Sequence, residues 1–248
     1  LIHKAREFAE AGKLADAAGI LRAVLAAAPA NINALKLAAA VASSVGEKRA
    51  MEDFLRRWSE ADPANPEAAR QYGHAAGHAG HFEEAVASYK RAVTLNPNLA
   101  ELRVDLAVAL VAAKDDAAAE ASFRHALERD PKNARALKRL AALQARLDRP
   151  AEALATHDRL MQVEESSANH WHTRGNLLQQ VARMDEAEAA YRRAIALEGG
   201  HRFAHDALAR LLWRKGEKDF LAALDAALAR DRGDHMLARV KGDILLQA

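Results

Sequence analysis

Pro29, Pro63, Pro97 and Pro131 stand thirty-four residues apart. A fixed period of this size means one supersecondary unit repeated, each copy burying its apolar face against its neighbours, and it limits the possible folds more than any other feature. The stretch Pro66 to Leu99, PEAARQYGHAAGHAGHFEEAVASYKRAVTLNPNL, displays the unit. It reads as two short amphipathic helices, the first opened by Asn65-Pro66 and the second closed by Asn96-Pro97. An asparagine N-cap, a proline at the first helical position and an acid in the first turn, Glu67, all suit a helix start.

Counting from Pro66, the units run 1–31 (lacking the first few residues), 32–65, 66–99, 100–133, 134–167, 168–201 and about 202–234, with a final helix 235–248. A small residue recurs eight places into each first helix: Ala5, Ala39, Gly73, Ala107, Ala141, Gly175, Ala209 and Gly242. The second helices share a small position at Ala17, Ala85, Ala119, Ala153 and Ala187. They share a large one at Leu21, Leu55, Tyr89, Phe123, His157, Tyr191 and Leu224. Small residues let helices touch and large ones fill the space beside them, at helical spacing throughout. Gly12, Gly46, Gly80 and Gly216 fall at the turns inside units, and Asn133 and Ser167 are placed to cap the helices that follow. Connections of a few residues predict antiparallel packing. The expected fold is all-α, a single solenoid over 1–248 with no internal domain boundary. One residue is lost near Gly216–Phe220, since Ala194 and Ala227 are thirty-three apart.

Composition removes several function classes. No apolar run approaches the ~20 residues of a membrane span, the absence of cysteine removes disulfides and thiolate chemistry, and a net charge of +2 does not argue for nucleic acid. There is no phosphate loop, nucleophile elbow or His-x-Asp iron-binding start, so catalysis, metal and cofactor are not expected. The chain starts at Leu1 inside a helix and stops at Ala248 in mid-repeat, which reads as a piece of a longer protein. The cytoplasm is the expected compartment.

Trp171, Gly175, Ala187, Tyr191 and Ala194 in one unit, and Tyr72, Gly73, Ala85, Tyr89, Ala92 and Pro97 in another, resemble the tetratricopeptide repeat pattern. The resemblance covers essentially the whole chain. It implies a right-handed superhelix whose concave groove, lined by the first helix of each unit, binds peptides or proteins. At the groove positions stand Arg70, His74, His78, Val104, Val108, Arg135, Lys138, Arg139, His172 and Asn176. Basic and amide groups dominate, and a wall of one sign attracts the other, so the expected ligand is an acidic or carboxylate-bearing peptide or protein. Val104, Val108 and Val111 give the helix 100–113 a second apolar stripe, read either as core or as a pocket for one anchor side chain. The carboxylate clamp of some family members matches Arg70, Arg135 and Arg139 in type. It fails at His74 and at Asp105, whose charge would repel a carboxylate. His74 and His78, with His81 beyond, and His201 with His205, have metal-ligand spacing without a complete ligand set.

A rival reading makes the chain the recognition or dimerisation arm of a larger bacterial enzyme. The segment from His205, chiefly Leu208, Leu211, Leu212, Trp213 and the helix 220–229, is similar to repeat regions that precede oxygenase-like domains. The last helix, with Leu237, Val240, Ile244, Leu245 and Leu246, would expose apolar surface unless capped, which also invites self-association through the ends.

Overall fold

The computed structural model describes residues 1–217, 220–230 and 235–247. All regular structure among them is helical. The chain divides into two compact units, Leu1–Pro131 and Lys132–Ala248, where the repeat alone suggested one undivided body. The first holds α1 (Ile2–Glu10), α2 (Leu14–Ala27), α3 (Ile32–Ser44), α4 (Lys48–Ala61), α5 (Pro66–Ala79), α6 (Phe82–Leu95), α7 (Ala100–Ala112) and α8 (Asp116–Arg129). The second holds α9 (Ala134–Arg146), α10 (Pro150–Val163), α11 (Ala168–Gln180), α12 (Met184–Leu197), α13 (Arg202–Arg214), α14 (Phe220–Arg230) and α15 (His235–Gln247). Within each unit consecutive helices pack together, and short links make them antiparallel neighbours. No described helix is long and apolar enough to cross a membrane.

The caps explain where helices start. Asn31, Asn65, Asn133 and Ser167 each accept a hydrogen bond from a backbone amide in the first turn of the helix they open, satisfying donors that have no partner within the helix. The inner turns carry the period most faithfully. Left-handed backbone occurs at Gly12, Gly46, Gly80, Lys114, Asp148, Ala182 and Gly216, each thirty-four residues from the next. Three of these positions lack glycine, with φ of 64°, 57° and 60° at Lys114, Asp148 and Ala182. The geometry of the turn therefore overrides the residue's own preference, at about 1–2 kcal/mol for an L-residue. The expected one-residue loss falls after Gly216, where residues 218 and 219 lie outside those described.

Packing inside a helix pair is a matching of sizes. A Cβ added to Gly175 would lie 2.4 Å from the Tyr191 ring, and one added to Gly73 would lie 3.0 Å from Tyr89. The corresponding alanines, Ala5 and Ala107, belong to pairs whose large member is Leu21 or Phe123, all four buried. Tyrosine thus goes with glycine, and the smaller rings and aliphatics with alanine. In α15, Leu245 and Leu246 are exposed; the side chains of Leu237, Val240 and Ile244 lie outside those described.

Candidate functional site

α5 and α7 carry most of the first unit's candidate groove residues. Arg70 on α5 donates from Nε to Asp105 Oδ2 of α7 at 2.8 Å, and the same oxygen lies 3.6 Å from His74 Nε2. The Asp105 side chain is fully buried. An isolated carboxylate there would be prohibitive, so Arg70 is needed by the fold. His74 also sets its ring edge-on to Tyr89, with centroids 5.6 Å apart. Two expectations are corrected here. Asp105 does not repel an incoming carboxylate at an open clamp; it is itself the carboxylate that Arg70 binds. Val104 is 0% exposed and is core, because α7 is enclosed on nearly every side, with Leu102, Leu106, Ala107, Ala109 and Leu110 buried as well. Val108 is half-buried and His78 exposed.

In the second unit, Arg135, Lys138 and Arg139 of α9 are exposed. Lys138 and Arg139 form no ion pair among the described residues. Lys138 stands at the rim of an open cleft of about 520 Å3 between α9, α10 and α11, lined also by Ala142, Ala145, His170, Thr173 and Leu177. Further along α11, His172 belongs to a ring cluster, 5.3 Å from His201, 6.0 Å from Tyr191 and 6.2 Å from Phe203 between centroids. Burial, and then the neighbouring His201, hold the His172 pKa below the ordinary imidazole value. Asn176 is exposed, and its Oδ1 accepts a 2.8 Å hydrogen bond from the Tyr191 hydroxyl. Burial pushes the Tyr191 pKa up to about 12, so the phenol remains a donor. Phe203, at the second place of α13, is 47% exposed. It escaped the sequence reading because one aromatic residue at one groove position does not depart from any pattern.

The histidine spacings resolve differently from one another. His201 caps α13, its Nδ1 accepting from Ala204 N at 3.1 Å while Nε2 faces Asn169 Oδ1 at 3.0 Å. His205 Nε2 reaches the Gly199 carbonyl at 2.9 Å. Both are buried parts of the scaffold. In the first unit, ligand atoms converge around His81, with Glu52 and Glu84, and not around His74 and His78.

Tetratricopeptide-repeat family models match residues 78–123 and 168–201. Cellulose synthase operon protein C of Xanthomonas axonopodis pv. citri is 36% identical over 127 residues, covering 51% of this chain; the chain spans 8% of that protein's length. Among solved structures, the C-terminal part of a repeat-containing protein from Cytophaga hutchinsonii superposes with a TM-score of 0.79 at 12% identity, over 97% of this chain and 99% of that one. YrrB, described as a TPR protein with an unusual peptide-binding site, gives 0.63 at 20% identity over 76% of this chain and 97% of its own. At such identities the structural likeness establishes the fold. Together with the two matched segments and a period kept in turns, caps and packing, it identifies the fold as a tetratricopeptide-repeat solenoid, with repeats of that family at residues 78–123 and 168–201.

Proposed function

We propose that the chain is a protein-interaction scaffold that holds an acidic peptide or protein segment against α9 and α11. The observation that carries this reading is the exposed, unpaired state of Lys138 and Arg139 beside an alanine-lined cleft. Carboxylates of the ligand meet Lys138 and Arg139, one apolar side chain enters the cleft, and His172, Asn176 and Phe203 offer ring and amide contacts further along. A preformed surface on rigid helices loses little ordering entropy on binding, and the cations steer encounter and register. The repeats act by presentation, without a catalytic step. The test is a peptide library screened against the chain and against a Lys138→Glu/Arg139→Glu variant. Acidic peptides should be selected by the first and lost by the second, with affinity falling as salt rises. Equal selection by both, or salt-independent binding, would refute the reading.

A second reading, that these repeats are the recognition arm of a longer bacterial protein, is favoured by the 36% identity to a segment of a far longer relative. The full reading frame tests it: a further domain beside the repeats supports the arm, and its absence removes it.

A further inference from the structure

We propose that Glu52, His81 and Glu84 form a binding site for a divalent transition-metal ion, with zinc the best-matched occupant, joining α4 to α6 in the first unit. One imidazole nitrogen and two carboxylate oxygens, one from each residue, all lie within 4.8 Å of one another. They come from two neighbouring repeats. Glu52 sits within α4, His81 occupies the N-cap of α6 directly after the left-handed turn at Gly80, and Glu84 lies in the first turn of α6. His81 stands out in the sequence and Glu52 does not, because twenty-nine residues separate them and only the fold brings their side chains to 2.6 Å.

The geometry is close to a ligand set. Tetrahedral zinc with bonds of about 2.0–2.1 Å puts its ligand atoms roughly 3.3 Å apart. His81 Nδ1 and Glu52 Oε1 are at 2.6 Å, so they need to open by less than about 1 Å to admit the ion. The side chain of Glu52 is only 14% exposed, which restrains its rotamer. Tyr72 of α5 donates its hydroxyl to Glu84 and so orients that carboxylate. Such a partner in the outer shell fixes the direction of a ligand. Arg56, one turn along α4, is engaged by Asp53 and Glu60 and leaves the two glutamates to a different cation. Water completes the fourth position. A mixed imidazole and carboxylate set favours zinc over magnesium or calcium, which prefer all-oxygen shells.

The experiment is calorimetric titration of the 248-residue chain with zinc, and separately with magnesium, followed by thermal melting at saturating zinc. One saturable zinc ion per chain, a raised Tm and weaker magnesium binding are expected. His81→Ala and Glu84→Gln should each weaken zinc binding by roughly tenfold or more. His125→Ala should leave it unchanged, since His125 lies on α8 and pairs at 3.0 Å with Glu128. Circular dichroism confirms that each variant remains helical, and Glu84→Gln, which can still accept from Tyr72, serves if His81→Ala does not. The absence of saturable zinc binding, or binding that survives both substitutions, would overturn the proposal.

Discussion

Arg70 on α5 and Lys138 on α9 occupy the same place in their repeats, yet one is tied into the fold and the other faces solvent. The difference lies thirty-five residues further on. After Arg70 that position is Asp105, buried and bound to the guanidinium; after Lys138 it is Thr173, exposed and neutral. The charge of a groove cation is therefore decided by the next repeat. α13 shows the same self-neutralisation within one helix, where Arg210 Nε donates to Asp206 at 2.6 Å. Counting basic residues along first helices overstates the free positive surface, since Arg70 and Arg210 are paired while Lys138 and Arg139 of α9 are exposed.

The sharpest way to break the comparison is to remove Arg70. Arg70→Met removes the 2.8 Å guanidinium partner from the Asp105 carboxylate in the core, and a loss of about 3 kcal/mol in denaturant unfolding is expected. Lys138→Met should change stability by less than about 0.5 kcal/mol. Similar losses at the two positions would show that Asp105 does not depend on Arg70.

Next in size is the glycine–tyrosine matching. Gly175→Ala should cost about 2 kcal/mol, because its Cβ would sit 2.4 Å from Tyr191. Gly73→Ala should cost less, since the corresponding distance to Tyr89 is 3.0 Å. Tyr191→Leu, which restores the alanine–leucine pairing present at Ala5 and Leu21, should recover part of the loss in a double-mutant cycle; strict additivity would contradict the matching.

A smaller effect of opposite sign is expected at the inner turns. Ala182→Gly relieves an L-residue at φ 60° and should raise stability by about 1 kcal/mol, read from the unfolding midpoint. Gly80→Ala, at φ 88°, should lower it by a similar amount.

The smallest effect is a pH response of the second unit. Burial keeps the His157 and His172 pKa values below the ordinary imidazole value. The unfolded chain then takes up protons that the folded one refuses. The associated stability is complete above about pH 6.5 and is lost as pH falls through the folded pKa values. Hydrogen-exchange protection in α10 and α11, measured relative to the intrinsic exchange rate at each pH, should fall on acidification, and His157→Leu, the residue type at Leu21 and Leu55, should flatten that response.

What was legible in the sequence follows from how local each signal is. Helix order, caps and small–large packing repeat every thirty-four residues, so each unit corroborates the others. Turn conformation was legible through the period and not through residue type, since Lys114, Asp148 and Ala182 carry no glycine. The site was read less well because its charges pair between repeats. Arg70 and Asp105 both stood out, but as a cation and a mismatched neighbour, and only the fold brings them to 2.8 Å. Val104 stood open between core and pocket in the sequence, and the fold makes it core because a groove position on a helix enclosed by its neighbours is still buried.

The most direct measurement is a hydrogen–deuterium exchange footprint of the chain with an acidic peptide selected from the library. Slowed exchange along α9 and α11, with α5 and α7 unchanged, is the expected result. Protection on α5 and α7 with none on α9 would contradict it and return the binding surface to the Arg70 seam.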